Sequence, residues 1–322
     1  MSVSIGVDIG GTKIAAGLVD DEGCIIQRVR RDTPARSFDG VVEAIASACT
    51  DLVDYARTEG LDLVEAVGMG AAGLVDETGS IVRFAPNLGW TEAPLGPRVS
   101  AASGLPTTVE NDATAAAWGE YRFGAGKGAT SLVAVTVGTG IGGGIINSGE
   151  PLRGSFGMAA EFGHITQVPD GRLCGCERRG CWEQYGSGNA LVREARDLAA
   201  ERRSEAELLL AMGDGTPVGV TGVHVTEAAR KGDPVALEAF RRVGHALGRG
   251  IADLTAILDP DRYVIGGGVS EAGQILLEPL VEAYEGAVVA RAHRPAAQLV
   301  LAQLSNDAGL IGAADLARRF VL

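Results

Sequence analysis

Three of the five cysteines and one of the four histidines lie in one short stretch, as Glu161-Phe-Gly-His164, Cys174-Gly-Cys176 and Cys181-Trp-Glu183. Thiolate sulfur and imidazole nitrogen are favoured zinc ligands. Cys-x-Cys-x4-Cys with a histidine ten residues upstream supplies a complete tetrahedral N/S3 set. Four protein ligands leave no open position, so such a zinc is structural, and what it stiffens is the loop 161–183. Glu161 and Glu183 flank the ligands. Ionised carboxylates only accept hydrogen bonds, so two of them held beside a histidine suit a neutral polyol whose hydroxyls donate. An isolated free cysteine is usually a small buried apolar residue. Three within eight residues, at ligand spacing, favour the metal.

The other chemistry-bearing residues sit on glycine turns and at a strand end. Asp8-Ile-Gly10-Gly11-Thr12-Lys13 nearly matches a P-loop, with Gly6 and Gly11 correctly separated. Its Thr-Lys order is reversed, however, and a strand follows where the motif needs a helix. Such a hairpin still presents successive backbone N–H groups to a phosphate, as a nest does. Gly138-Thr139-Gly140-Ile-Gly-Gly143 satisfies GxGxxG but runs into another strand, which removes the dinucleotide-binding geometry. Gly266-Gly267-Gly268 is a third such turn, bare enough for a flat ring or a ribose to approach the backbone. Asp112 directly precedes an alanine-rich segment. That is a common place for a first-turn acid, and also the strand end where α/β sheets face their ligands.

These residues need elements to position them. Alternation and turn residues predict strands over 3–7, 13–19 and 24–30, with a hairpin turn at 20–23. Val42, Ile45, Leu52 and Tyr55 have helical spacing within 38–57. A short strand at 64–69, a hairpin over 76–84, a loop at 86–90 and a strand at 107–109 lead to a helix over 113–123. Strands at 131–137 and 144–147 then repeat the opening strand, glycine turn, strand order, which points to a duplicated unit. Ser187 caps a helix through residue 198, and 201–222 reads as a short helix plus loop. Asp233-Pro234 starts a long core helix with an aspartate cap and proline at its first position. A strand at 262–265, a helix after the third glycine turn, a strand at 299–304 and a helix over 306–319 finish the chain.

The totals exclude several functions. The chain has 322 residues, 46% hydrophobic and 21% charged, an ordinary globular composition of two domains or one large one. A net charge of −13 argues against a nucleic-acid partner. Anionic substrates must therefore be held by local donors and not by the global field. No apolar run approaches membrane-spanning length, and the N-terminus lacks a basic, apolar leader. Cysteines at metal spacing fit a reducing, cytoplasmic setting better than a disulfide framework.

Together, Asp8-x-Gly-Gly-Thr-Lys13, Glu110-Asn-Asp112, Gly138-Thr-Gly-x-Gly-Gly143, Glu161-x-Gly-His164, the Cys174–Glu183 cluster and Gly266-Gly-Gly268 resemble the ROK family (repressors, open reading frames, kinases). Within it they are most similar to the bacterial ATP-dependent glucokinases. The resemblance covers essentially the whole chain. It departs at Glu177, where the family usually has glycine after the second cysteine. It implies an α/β, actin-like fold of the duplicated ribonuclease H type, with two domains and an interdomain cleft. The expected division is 1–111 plus 305–322 for the smaller domain and 112–304 for the larger. The implied reaction is ATP-dependent phosphorylation of glucose at the 6-hydroxyl, with Asp112 as general base. Gly73, Asn87, Asn111, Asp112, Glu161, His164 and Glu183 are expected to hold the sugar. Gly10, Gly11, Thr12, Lys13, Gly138, Thr139, Gly140, Gly267 and Gly268 are expected to hold ATP. His164, Cys174, Cys176 and Cys181 would bind structural zinc, and Asp8 would lie near the Mg2+ that accompanies ATP. A homodimer or dimer of dimers is expected. The alternatives are another hexose (fructose, allose, mannose or N-acetylmannosamine), a polyphosphate-dependent kinase, or a sugar-sensing regulator. A first strand starting near residue 3 leaves the regulator's DNA-binding segment without a place.

Overall fold

The structure is a computed structural model that describes residues 2–34, 37–61 and 63–321. The chain forms two compact units: residues 1–134, 144–160 and 303–322 in the first, and 135–143 with 161–302 in the second. The division expected from the sequence, at 111/112, falls inside the first of these units. The first unit keeps the helix after Asp112 for a packing reason given below.

The first unit begins with β1 (Val3–Ile9), β2 (Lys13–Asp20) and β3 (Ile25–Asp32), followed by α1 (Phe38–Thr58) and β4 (Val64–Ala71). A small three-stranded sheet of β5 (Leu74–Val75), β6 (Val82–Ala85) and β7 (Trp90–Ala93) follows, then α2 (Leu95–Ser103), β8 (Thr107–Asn111) and α3 (Asp112–Phe123). The main sheet has the order β3-β2-β1-β4-β8. Its hairpins are antiparallel, while β4 runs parallel to both β1 and β8. This parallel core brings the C-terminal ends of β1, β4 and β8 to one edge, the edge where α/β sheets bind ligands. The buried face of α1 carries Val42, Ile45 and Leu52 on the sheet, and Ser37 caps it by accepting from the Gly40 N–H at 3.0 Å.

β9 (Ser131–Val137) and β10 (Ile141–Asn147) are shared along their length between the units, and β11 (Glu150–Pro151) follows. The second unit then has α4 (Glu183–Gly186), α5 (Gly188–Glu201), α6 (Glu207–Met212), α7 (Gly222–Arg230), α8 (Pro234–Leu258), β12 (Arg262–Gly266), α9 (Gln274–Ala287) and β13 (Gln298–Leu301). The second sheet has the order β11-β10-β9-β12-β13, again five strands with a glycine-turn hairpin. α8 starts as its sequence requires: Asp233 accepts from the Ala236 N–H at 2.9 Å, and Pro234 is the first helical residue.

α10 (Ala308–Val321) returns the chain to the first unit. It packs backbone to backbone. A side chain at Gly6, Gly68, Gly119 or Gly312 would collide with the carbonyl oxygen of Leu310, Ala313, Ala308 or Ala115 respectively. Glu120 at the far end of α3 accepts from the Gln303 and Leu304 N–H groups at 3.1 and 2.7 Å. α3 is therefore tied to α10 and the first sheet, which is why 112–134 belongs with them. Among the described residues, no helix is long and apolar enough to cross a membrane.

Candidate functional site

In the first unit Asp8, Gly10–Lys13, Gly73, Asn111 and Asp112 lie at or just beyond the C-terminal ends of β1, β4 and β8. Gly10 and Lys13 close the β1–β2 turn through Gly10 N–H to the Lys13 carbonyl at 3.0 Å. Gly11, Thr12 and Lys13 are exposed. Thr33 braces this turn, donating its N–H to the Thr12 carbonyl at 3.0 Å and its hydroxyl to the Gly10 carbonyl at 2.7 Å. Thr33 belongs to no motif, and its only sequence signal is a hydroxyl residue directly after the third strand.

Asn111 is the N-cap of α3, its Oδ1 accepting from the Ala113 and Thr114 N–H groups, both at 3.0 Å. Its Nδ2 donates to the Gly73 carbonyl at 3.1 Å. Gly73 in turn has no room for a side chain, since a Cβ there would lie 2.5 Å from the Phe84 carbonyl oxygen. Asn87 lies exposed in the β6–β7 turn. Asp112 follows the cap as the first residue of α3, and its Oδ1 accepts from the Ala113 N–H at 2.9 Å. Burial raises the Asp112 carboxyl above the usual aspartate range. Asp8, at the end of β1, is pushed up to about 6, first by burial and then by the charge of Asp112. Two desolvated carboxylates that repel each other suit a cation, and their hard oxygen donors fit Mg2+.

In the second unit, the ligand atoms of His164, Cys174, Cys176 and Cys181 all lie within 4.8 Å of one another. Cys174 Sγ is 3.6 Å from His164 Nδ1, and the Cys176 and Cys181 sulfurs are 3.5 Å apart. Zinc–sulfur bonds of about 2.3 Å and a zinc–nitrogen bond of about 2.0 Å put tetrahedral edges at roughly 3.5–3.8 Å, so the cluster fits zinc. Nδ1 is the ring nitrogen turned towards the thiols. Glu183, the first residue of α4, places Oε1 2.9 Å from Cys174 Sγ. A Cβ on Gly140 would lie 2.5 Å from Glu183 Oε2. The Glu183 carboxylate thus lies directly against Gly140, and a side chain there would displace it. Glu161 is exposed, and its carbonyl starts the 3₁₀ turn Phe162–His164, accepting from the His164 N–H at 3.1 Å. Gly143, the last glycine of the GxGxxG match, is a packing residue, since a side chain there would occupy the Phe162 ring.

A cavity of about 530 Å³ opens in the second unit against the Gly138–Thr139 turn. Its lining includes Gly188, Asn189, Arg230, Gly268 and Val269. Gly267 stands behind it with φ 85°, where a Cβ would lie 2.6 Å from the Val137 carbonyl oxygen. The turn is docked on the start of α5, with Gly188 N–H donating to the Gly138 carbonyl at 2.8 Å. Arg230, at the end of α7, donates to Glu227 Oε1 at 2.6 Å and to the Glu271 carbonyl at 2.8 Å. Thr226 and Arg230 lie on α7, a helix without a strong sequence signal, and Asn189 lies in the first turn of α5; none of the three belongs to a glycine motif.

A glycine-turn hairpin at the head of each of two five-stranded sheets is the actin-like architecture of the sugar kinases. The ROK family model matches residues 4–320, and the chain belongs to the ROK family. Glucokinases of Streptomyces coelicolor and Streptomyces lividans are each 52% identical over 318 residues, 99% of this chain and 98% of theirs. The glucokinase of Thermotoga maritima is 38% identical over 97% of this chain and 96% of its own. A ROK family glucokinase from Streptomyces griseus, solved in complex with glucose and AMPPNP, is 51% identical with a TM-score of 0.87. The match covers 99% of this chain and 100% of that one.

Proposed function

We propose that this chain phosphorylates glucose at its 6-hydroxyl with ATP, Asp112 acting as general base. The observation that carries the reading is 52% identity to Streptomyces glucokinases along 99% of the chain. Asp112 takes the hydroxyl proton as the sugar oxygen attacks the γ-phosphorus and ADP departs with the bonding electrons. A positioned base contributes about 10²–10⁴-fold, and burial that raises its pKa makes it a stronger one. The rest of the work is alignment and charge neutralisation. Asn87, Asn111, Glu161, Glu183 and the outer nitrogen of His164 hold ring hydroxyls beside Gly73. Gly10, Gly11, Thr12, Lys13, Thr139 and Gly140 hold the phosphates, and the cavity beside Gly267 and Gly268 takes the adenosine. Zinc on His164, Cys174, Cys176 and Cys181 supplies rigidity to the loop, and Mg2+ near Asp8 offsets phosphate charge.

A coupled assay offering glucose, mannose, fructose, allose and N-acetylmannosamine with ATP or polyphosphate tests this. Glucose with ATP should be preferred, and Asp112→Asn should lower kcat at least about a hundredfold. Normal turnover by Asp112→Asn removes it as the base, and preference for another hexose replaces the sugar. The family resemblance supports a homodimer or dimer of dimers, which sedimentation equilibrium measures. Clustered thiols at metal spacing support a reducing, cytoplasmic setting.

A further inference from the structure

We propose that Glu110 and Arg153 are a positioning pair for the phosphoryl acceptor, tying the segment 152–160 to the turn that carries Asp112. The inference rests on the sugar-kinase reading above. Glu110 is only 4% exposed, an unusual place for a carboxylate. Its Oε2 accepts from Arg153 Nε at 2.5 Å, and its Oε1 accepts from the Asn111 N–H at 3.0 Å. Burial raises the Glu110 carboxyl, and the Arg153 guanidinium opposes that rise. Glu110 thus grips the peptide that leads directly into Asn111 and Asp112. On the other side, the Arg153 guanidinium lies 5.0 Å from the Phe320 ring centroid, and its carbonyl accepts from the Ala159 N–H at 3.0 Å. The segment so anchored ends at Ala160, whose φ of 71° is left-handed and sets the direction in which the chain enters Glu161. One ion pair therefore fixes both the approach to the base and the approach to a sugar-holding carboxylate. A buried pair adds little net stability over apolar residues of the same volume, so stability alone gives weak reason for its presence.

Two variants of the full chain test the pair. Arg153→Lys keeps a charge but loses the planar fork. The double variant Glu110→Gln/Arg153→Met removes both charges and leaves no unpaired ion buried. Steady-state kinetics with glucose and ATP would be read beside thermal unfolding. The expected result is a glucose KM raised about tenfold in both, with the ATP KM within about twofold, because only acceptor alignment is lost. Equal rises in both KM values, an unchanged glucose KM, or failure of both variants to fold would each overturn the proposal. A wild-type chain that phosphorylates no hexose would instead overturn the parent reading.

Discussion

Asp8 is a half-buried acid whose neighbour is another acid, and its titration carries the penalty. The folded chain holds its proton up to about pH 6, whereas an unperturbed aspartate releases it near 3.8. Between those values the folded state keeps a proton that the unfolded state releases. Stability therefore falls as pH rises through this window and stays lower above it. A pKa raised from 3.8 to about 6 corresponds to about 3 kcal/mol. Asp8→Asn should accordingly raise the unfolding midpoint at about pH 7.5, with the gain fading towards about pH 4, while phosphoryl transfer is lost. Thermal unfolding at the two pH values decides it, and an equal gain at both would contradict the linkage. Glu177 offers a second single-residue case. Its φ of 69° is left-handed, a region costly to residues with a Cβ by about 1–2 kcal/mol. The family's usual glycine at this position thus has a conformational reason. Glu177→Gly should stabilise the chain by about 1 kcal/mol and slow zinc transfer to a chromogenic chelator. An unchanged transfer rate and melting temperature would remove the strain argument.

Elements were legible where pattern and caps agreed. Ser187 and Asp233 each cap the helix that the sequence placed after them, because a side-chain acceptor before an apolar periodicity is a local signal, while α1 was legible from its apolar spacing alone and proves to be capped by Ser37. α2 was not legible, since Pro94-Leu-Gly-Pro97 puts two breakers where a helix begins, although proline is tolerated in a first turn. α7 hid behind a histidine: Thr221 and His224 cap each other reciprocally, a pairing normally read from glutamate or glutamine. The metal loop was legible as ligands, but its reach to Gly140 through Glu183 was not, because that contact is tertiary. The loop and the cavity beside the Gly138–Thr139 turn draw on different residues, so they should fail separately. Chelation that strips about one zinc per chain should raise the glucose KM at least about tenfold. Binding of a fluorescent ATP analogue should stay within about twofold. Parallel loss of both affinities would mean the loop supports more than the sugar.

At the scale of the whole molecule, some of the 47 glycines are demanded by packing while others face open space, a difference that the sequence does not show. Gly6 and Gly11 together gave the near match to a P-loop, yet only one of them faces open space. A Cβ on Gly6 would collide with the Leu310 carbonyl of α10, whereas one on Gly11 meets nothing within 4 Å. The same contact chemistry explains the course of the chain. α10 seats on the first sheet and on α3 through bare backbone, so residues 112–134 stay with the N-terminal unit. A division read from motif positions has no access to that packing. The two kinds of glycine should respond oppositely to one substitution. Gly312→Val pushes a branched side chain into the Ala115 carbonyl and should destabilise the chain by about 3 kcal/mol or more, with affinity for ATP unchanged in the fraction that folds. Gly11→Val fills open space at an exposed turn and should leave the unfolding midpoint within about 2 °C. It should also raise the ATP KM about tenfold or more, by crowding the phosphates. Denaturant unfolding and ATP titration on the two variants measure both axes, and a Gly11→Val chain that loses stability but keeps its ATP affinity would reverse the assignment of that turn.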